Sequence, residues 1–198
     1  MPDARTSPLD ERLVEVALKI LAEEGIEALT LRKVAREAGV SHGAPQRHFR
    51  SLADLLAEVA ARGFRLLSTT IGAAANAFPA GADPLERLRA AGRAYVEAAV
   101  AHSDLFALMF RPETLDITNA AFVQESSAAF DELLRHVRAA QEAGWHAERD
   151  TRLLAGSVWA AVHGFATLWA QGAFAGPVPG ASLEDALTTT LELALGRH

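Results

Sequence analysis

The 198-residue sequence contains no cysteine. Disulfides, thiolate nucleophiles and cysteine-based zinc sites are therefore excluded. It has one tyrosine and two methionines, and no segment with sustained alternation of apolar and polar residues, so exposed β-strands have no signature in it. Gly-rich phosphate loops, dinucleotide fingerprints and Gly-x-Ser-x-Gly elbows are missing, as are internal repeats and low-complexity tracts. No membrane span is expected, on the reading that no apolar stretch of about 18 residues is free of charge. The segment Met1 to Leu9 carries Pro, Asp and Arg but no apolar run. A secretory signal is thus not expected, and the expected location is the cytoplasm.

What is present points to helices. Half of the residues are apolar, with Leu and Ala foremost, a composition that favours helix over strand. The net charge is −6, but it is unevenly spread. Residues 31–65 hold seven basic side chains (Arg32, Lys33, Arg36, Arg47, Arg50, Arg62, Arg65) against Glu37, Asp54 and Glu58, a local +4 that leaves −10 elsewhere. A basic patch on an acidic chain fits a small DNA-binding head on a larger body.

Capping residues and hydrophobic periodicity divide the chain into about nine helices. Ser7, Pro8 and Asp10 open the first, with Leu13, Val16, Ala17, Ile20 and Leu21 as its buried stripe, and Gly25 stops it. Thr30 caps a short second helix that ends at Gly39. Ser41 caps a third helix almost at once. Two short helices joined through Ala38-Gly39-Val40-Ser41 have the helix-turn-helix layout, and the turn requires a residue at ease in the left-handed region. A capping box at Ser51 and Asp54 starts a long linking helix over 52–78, followed by a Pro/Gly-rich break at 78–84. Further helices are expected over about 85–102, 104–110, 117–143 and 150–172, and from Ser182 to about Gly196. The fold class expected is all-α: a three-helix head over 1–51 and a larger helical bundle over 52–198.

The third helix is unlike a core helix. His42, Gly43 and Ala44 are small or polar, and small residues allow close approach to base edges and phosphates. Gln46 is suited to adenine, and Arg47 to guanine or phosphate. Thr30 and Arg32 start the second helix on the phosphate side.

These residues carry a resemblance. Ile20-Leu21-Ala22-Glu23-Glu24-Gly25, then Leu29 through Ser41, and His48-Phe49-Arg50-Ser51 resemble the head of the tetracycline-repressor (TetR) family over about residues 9–60. The resemblance implies an all-helical homodimer whose head binds a palindromic double-stranded operator and whose larger domain dimerises and binds a small effector. Repression is implied by the family alone. On the matching positions, Thr30, Arg32 and His48 look like phosphate contacts, and Ser41, His42, Gly43, Ala44, Gln46 and Arg47 form the rest of the DNA-reading set. Pro45, Gln46 and Leu52 stand where the family usually has Leu, Tyr and Lys, although a neighbouring subfamily uses Gly-Ala-Pro. The substitution at 52 removes one expected phosphate contact, and Gln46 should change what is read. Trp159-Ala160-Ala161-Val162-His163-Gly164 resembles the Trp-x-x-x-His-Gly motif that names the WHG type of TetR C-terminal domain.

In the larger domain, Gly156, Ala160, Gly164 and Thr167 form a slim helical stripe that suits close helix packing across a two-fold axis. Leu183, Leu187, Thr190, Leu191 and Ala194 are expected to join it from the last helix. The same stripes also suit packing inside one chain. Phe106, Met109, Phe110, Phe122, Phe130 and Trp159 are bulky apolar residues from several helices and suit the walls of an effector cavity; each also suits plain core. His163 is either a packing residue or a polar handle for the effector.

The seven histidines (His42, His48, His102, His136, His146, His163 and His198) include the i,i+4 pairs Glu132/His136 and Glu142/His146. Neither provides the paired Glu-x-x-His motifs of a di-iron bundle. No metal, cofactor or catalytic residue is expected, and an enzyme is not. The alternative to a regulator is a helical ligand-binding or adaptor protein that has lost specific DNA binding.

Overall fold

The computed structural model describes residues 7–196. Residues 1–6, 197 and His198 lie outside the described set, and with them most of the segment read for a secretory signal. Among the described residues eight α-helices follow one another: α1 (Pro8–Glu24), α2 (Leu31–Glu37), α3 (Leu52–Asn76), α4 (Pro84–Ala101), α5 (Ser103–Met109), α6 (Ala120–Glu142), α7 (Thr151–Ala170) and α8 (Leu183–Leu195). Two short 3₁₀ turns, Ile26–Ala28 and Pro45–Arg47, complete the set, and no strand occurs among the described residues. The chain is all-α, as its composition and periodicity imply.

Several helix starts are the ones marked in the sequence, whereas α6 starts at Ala120, three residues after the expected start at 117. Asp10 N donates to Ser7 Oγ at 3.2 Å while Ser7 N donates to the Asp10 carboxylate at 2.8 Å. This reciprocal box satisfies two amides that an α-helix leaves without partners. Asp83, Asp150 and Ser182 cap α4, α7 and α8 in similar ways.

The residues group into two compact units. The first takes the chain up to Phe64 together with Asp104–Ser126. Its core is built from Leu13, Ala17, Leu21, Val34, Ala35, Phe49, Leu55 and Val59, all buried. The second takes Arg65–Ser103 and the chain from Ser127 onward. There α4, α7 and α8 pack against one another. Gly92 makes this possible, since a Cβ at that position would come within 2.7 Å of Leu191 Cδ2. Arg87 closes the end of α3 by donating to the Ala75, Phe78 and Pro79 carbonyls.

Helix α7 corrects the premise on which no membrane span was expected. Residues 153–183 contain no Asp, Glu, Lys or Arg, and α7 is long and apolar enough to cross a membrane by length and composition alone. The uncharged polar residues Ser157, His163 and Thr167 interrupt the run without adding a fixed charge. In this unit Ala155, Val158, Val162, Phe165 and Ala166 of α7 are buried.

His136 is buried, with Nε2 3.2 Å from Glu132 Oε1 and 3.1 Å from an Arg135 guanidinium nitrogen. Burial holds its pKa below the ordinary value, the Arg135 and Arg87 charges add to this, and Glu132 opposes it. Burial lowers His163 in the same direction. The unfolded chain therefore binds these protons more tightly than the folded one, so stability is complete above the unfolded value and declines as pH falls through it. The melting temperature is expected to drop between about pH 7.5 and about pH 5.5, and His136→Asn to reduce that drop, as measured by calorimetry. An unchanged pH dependence in H136N would contradict this account.

Candidate nucleic-acid interface and ligand-facing residues

The reading surface starts with α2. Thr30 has extended backbone and its Oγ1 accepts from Lys33 N at 3.1 Å. At the other end, Val40 N donates to Ala35 O and Gly39 N to Arg36 O, both at 3.0 Å. Gly39 has φ +67°, the left-handed conformation that closes a helix at low cost only for glycine. Ala38 is buried at this corner and Val40 half-buried.

The segment after the corner differs from the expected third helix. Residues 41–48 form consecutive tight turns, with Ala44 N donating to Ser41 O at 2.9 Å and Arg47 N to Ala44 O at 3.1 Å. Only Pro45–Arg47 is helical, and it is 3₁₀ with no side-chain cap, so Ser41 does not cap a third α-helix. Pro45 has no amide to extend an α-helical ladder, and Gly43 gains little from helix. The segment is nonetheless anchored. Pro45 and Phe49 are buried, and Phe49 N donates to Pro45 O at 2.8 Å. Between and around these anchors, Ser41, His42, Gly43, Gln46 and Arg47 are exposed and Ala44 is half-buried. Of the residues expected on the phosphate side, Thr30 and Arg32 are exposed. His48 Nδ1 lies 2.5 Å from Asp10 Oδ1, so α1 orients its ring.

Much of the basic patch is spent internally. Lys33 pairs with Glu24, Arg36 with Glu37, Arg50 with Asp54 and Asp116, and Arg62 with Glu11. Arg32 and Arg47 carry no ion pair among the described residues. Arg12 joins them beside the turn, its guanidinium 3.6 Å from where a Gly39 Cβ would stand. Nothing in the periodicity of α1 marks Arg12 for this place.

The aromatic residues proposed for an effector fall into two clusters. In the first unit, Phe110 meets Phe64 and Phe106 edge-on at 5.5 and 5.2 Å, and Phe64 meets Phe122 at 5.8 Å. Met109 is buried there, its sulfur within 2.5 Å of a Cβ position on Gly63. In the second unit, Trp159 stacks edge-on to Phe130 at 6.3 Å, and Arg152 lies over the Phe130 ring at 5.5 Å. Trp159 Nε1 donates to Tyr95 Oη at 3.2 Å, and Tyr95 Oη lies 2.8 Å from His163 Nδ1. Burial pushes the Tyr95 phenol far up, against the Trp159 hydrogen bond, and pushes His163 down. Tyr95 therefore stays a protonated phenol whose hydroxyl accepts from Trp159 and shares a hydrogen bond with the His163 ring. Tyr95, the sole tyrosine, gave no sequence signal of this role.

An open cleft of about 640 Å³ between α4 and α8 contains none of these residues. Glu86, Arg89, Arg93 and Glu192 line it, and its arginines already bond Glu86 and Glu184.

The residues proposed for a dimer face also separate. Gly156 and Gly164 have nothing within 4 Å of a Cβ position. Ala160 is exposed, while Thr167, Leu183, Thr190 and Ala194 are half-buried. Leu187 and Leu191 correct the expected stripe. They are 1% and 3% exposed, because α8 turns them inward onto its own chain.

Comparison with known proteins supports the head and the body separately. A family model described as bacterial regulatory proteins, tetR family, matches residues 13–59. Another, described as tetracyclin repressor-like, C-terminal domain, matches residues 88–192, which include the Trp159–Gly164 motif. An HTH-type transcriptional regulator of Staphylococcus aureus (strain USA300) is 34% identical over 59 residues, 30% of this chain and 32% of that relative. The chain thus matches about a third of the length of such curated relatives. A protein of unknown function from Rhodococcus sp. RHA1 has the same fold with TM-score 0.82 and 32% identity, covering 98% of this chain and 97% of its own. The TetR family transcriptional regulator PfmR from Thermus thermophilus matches with TM-score 0.66 and 22% identity over 93% and 97% of the two chains.

The left-handed corner gives a test. Gly39→Ala is expected to cost about 1–2 kcal/mol of stability, because it puts a Cβ on a left-handed residue. Gly39→Asn should cost less, since Asn tolerates that region. Denaturant midpoints of the two variants check the order, and equal midpoints for both and the parent would refute it.

Proposed function

The chain belongs to the tetracycline-repressor family of helix-turn-helix transcriptional regulators, and on that premise we infer that it is a homodimeric repressor released from its operator by a small apolar effector. The observation that carries the DNA-reading part is the exposed set Ser41, His42, Gly43, Gln46 and Arg47 held between the buried anchors Pro45 and Phe49. Gln46 offers an amide to adenine and Arg47 a fork to guanine or phosphate, with Ala44 and Gly43 allowing close approach. Thr30, Arg32 and His48 take the phosphate backbone. Residues 1–51 read DNA in this proposal, and 52–198 dimerise and receive the effector. Such a protein works where DNA lies, in the cytoplasm.

The outer face of α7 supports a dimer. Leu153, Ala160 and Leu168 are exposed on one side of the helix, at helical spacing with the open glycines 156 and 164. Leu193 of α8 is 83% exposed. Apolar surface of this kind is costly to leave in water, and a second copy covers it through a self-complementary two-fold contact. The two copies then present their reading segments about one DNA turn apart, ~34–36 Å. The aromatic clusters around Phe110 and Trp159 are the proposed effector walls, and an effector that prefers the non-binding state lowers operator affinity by linkage.

Selection from random duplexes by the full-length protein is expected to return a palindrome. Arg47→Ala should weaken the selected duplex by about 10- to 100-fold, and Gln46→Ala should relax base preference at one position per half-site. A selection that returns no sequence favours the adaptor or ligand-binding reading instead. Sedimentation should find the parent at twice the mass of the chain, and Leu168→Glu or Leu193→Glu should shift it toward monomer. A monomeric parent at micromolar concentration refutes the dimer.

A further inference from the structure

The start of α3 is tied to the segment before α6 by a set of bonds that the functions above do not use. Asn119 is 8% exposed and Asp54 7%. Asn119 Nδ2 donates both of its hydrogens, to Asp54 Oδ1 and to Glu58 Oε1, each at 3.0 Å. Its Oδ1 accepts from Phe122 N at 3.0 Å, which caps α6. The other Asp54 oxygen accepts from Arg50 N at 2.9 Å. The Arg50 guanidinium donates to Asp116 Oδ2 at 2.9 Å, and Asp116 N donates to Ala53 O at 3.1 Å. Thr118 N and Oγ1 donate to the remaining Asp116 oxygen, and these bonds and the Arg50 charge hold its carboxyl below the ordinary range. Every polar atom of the Asn119 side chain is satisfied. Two nearby carboxylates, which would repel each other bare, share one neutral amide.

This arrangement exceeds what capping needs. Ser51 Oγ alone accepts from Asp54 N at 3.1 Å to begin α3, and a short polar side chain at 119 would suffice to begin α6. The added bonds end at the Arg50 amide, directly after Phe49 and three residues after Arg47. We propose that Asn119 is a positioning residue for DNA reading: by fixing Asp54, it fixes the Arg50 amide and so the C-terminal end of the segment that carries Gln46 and Arg47. The reading segment is short and lacks an α-helical ladder of its own, so it depends on fixed points at both ends. Gly39 and the α2 terminus supply one. Phe49, with the Asn119–Asp54–Arg50 chain behind it, supplies the other.

The inference rests on the DNA-reading function proposed above, and the test separates the two. Asn119→Ser keeps a good cap for α6 but is too short to reach Asp54 and Glu58. The paired variant, D54N with E58Q and N119D, reverses both bonds: Asn at 54 and Gln at 58 donate where Asn119 donated, and Asp at 119 accepts from both while still accepting from Phe122 N. In N119S, affinity for the duplex selected by the parent is expected to fall about tenfold, while a scrambled duplex stays within about twofold. The paired variant should recover most of the lost affinity. A loss shared equally by both duplexes marks a general folding defect and overturns the proposal, as does an N119S that binds like the parent. Hydrogen exchange needs no DNA and decides the matter even if the parent selects no sequence. Uptake across residues 44–51 should rise in N119S and return toward the parent's level in the paired variant. Unchanged uptake there overturns the positioning role, whereas failure of the selection alone overturns the DNA-reading function.

Discussion

The reading surface depends on a single backbone conformation, the left-handed Gly39 at φ +67°. It lets Val40 N and Gly39 N bond back to the last turn of α2 and sends the chain off at a sharp angle while Ala38 stays buried. With that corner fixed, Pro45 and Phe49 can reach the same core as Val34 and Ala35. With those four buried, Ser41, His42, Gly43, Gln46 and Arg47 are left exposed. A side chain at 39 would strain the corner even though space is open for it, since the nearest atom, on Arg12, is 3.6 Å away. The constraint is therefore torsional rather than steric crowding by neighbours.

Electrostatics act on a second level. An acidic chain can bind an acidic polymer only through local positive charge, and the raw count over 31–65 overstates how much of it is available. At least four of the seven basic side chains there form ion pairs within the chain, of which Lys33 ties α2 to α1 and Arg62 ties α3 to α1. Arg32 and Arg47, with Arg12 arriving from α1, remain in position for a partner. A small number of available cations gives a weak sequence-independent attraction. In the DNA-reading proposal, discrimination then falls to the uncharged side chains of the turn, Gln46 above all.

How much of this could be read beforehand follows from the range of each interaction. Caps and corners are local, and Ser7, Thr30, Gly39, Asp150 and Ser182 mark them in the order in which they occur. The segment after Ser41 reads in the sequence as a short polar third helix, and its polar surface was legible but its 3₁₀ turn was not, because the missing Pro45 amide is compatible with the first turn of an α-helix. Leu187 and Leu191 fit the apolar period of α8, yet the period does not say which neighbour that face meets. Gly92 settles it, and nothing near position 92 points to residue 191. The same holds for Tyr95 beside His163 and for Asn119 beside Asp54. Each pairing spans more than sixty residues, and in each a polar side chain looks ordinary until its partner is beside it.

In helix α7 the packing of the core and the character of the surface are set together. Its composition alone would suit a lipid environment, and its buried side, Val158, Val162 and Phe165, is no more apolar than its outer side of Leu153, Ala160 and Leu168. The two sides differ in size. The inner one sets Val158, Val162 and Phe165 beside Ala155 and Ala166 against its neighbours, whereas the outer one is interrupted by Gly156 and Gly164, where a Cβ would meet nothing. A lipid-facing surface has no use for such gaps, because acyl chains gain from a continuous apolar face. A second helix does, because small residues bring two backbones close enough for their side chains to interlock. The polar pair Tyr95 and His163 adds to this reading: their hydrogen bond, with the one from Trp159 to Tyr95, ties α7 to α4 and fixes its rotation about its own axis. That fixed rotation keeps the slim stripe facing outward, so the packing of one chain determines which face it can offer to another.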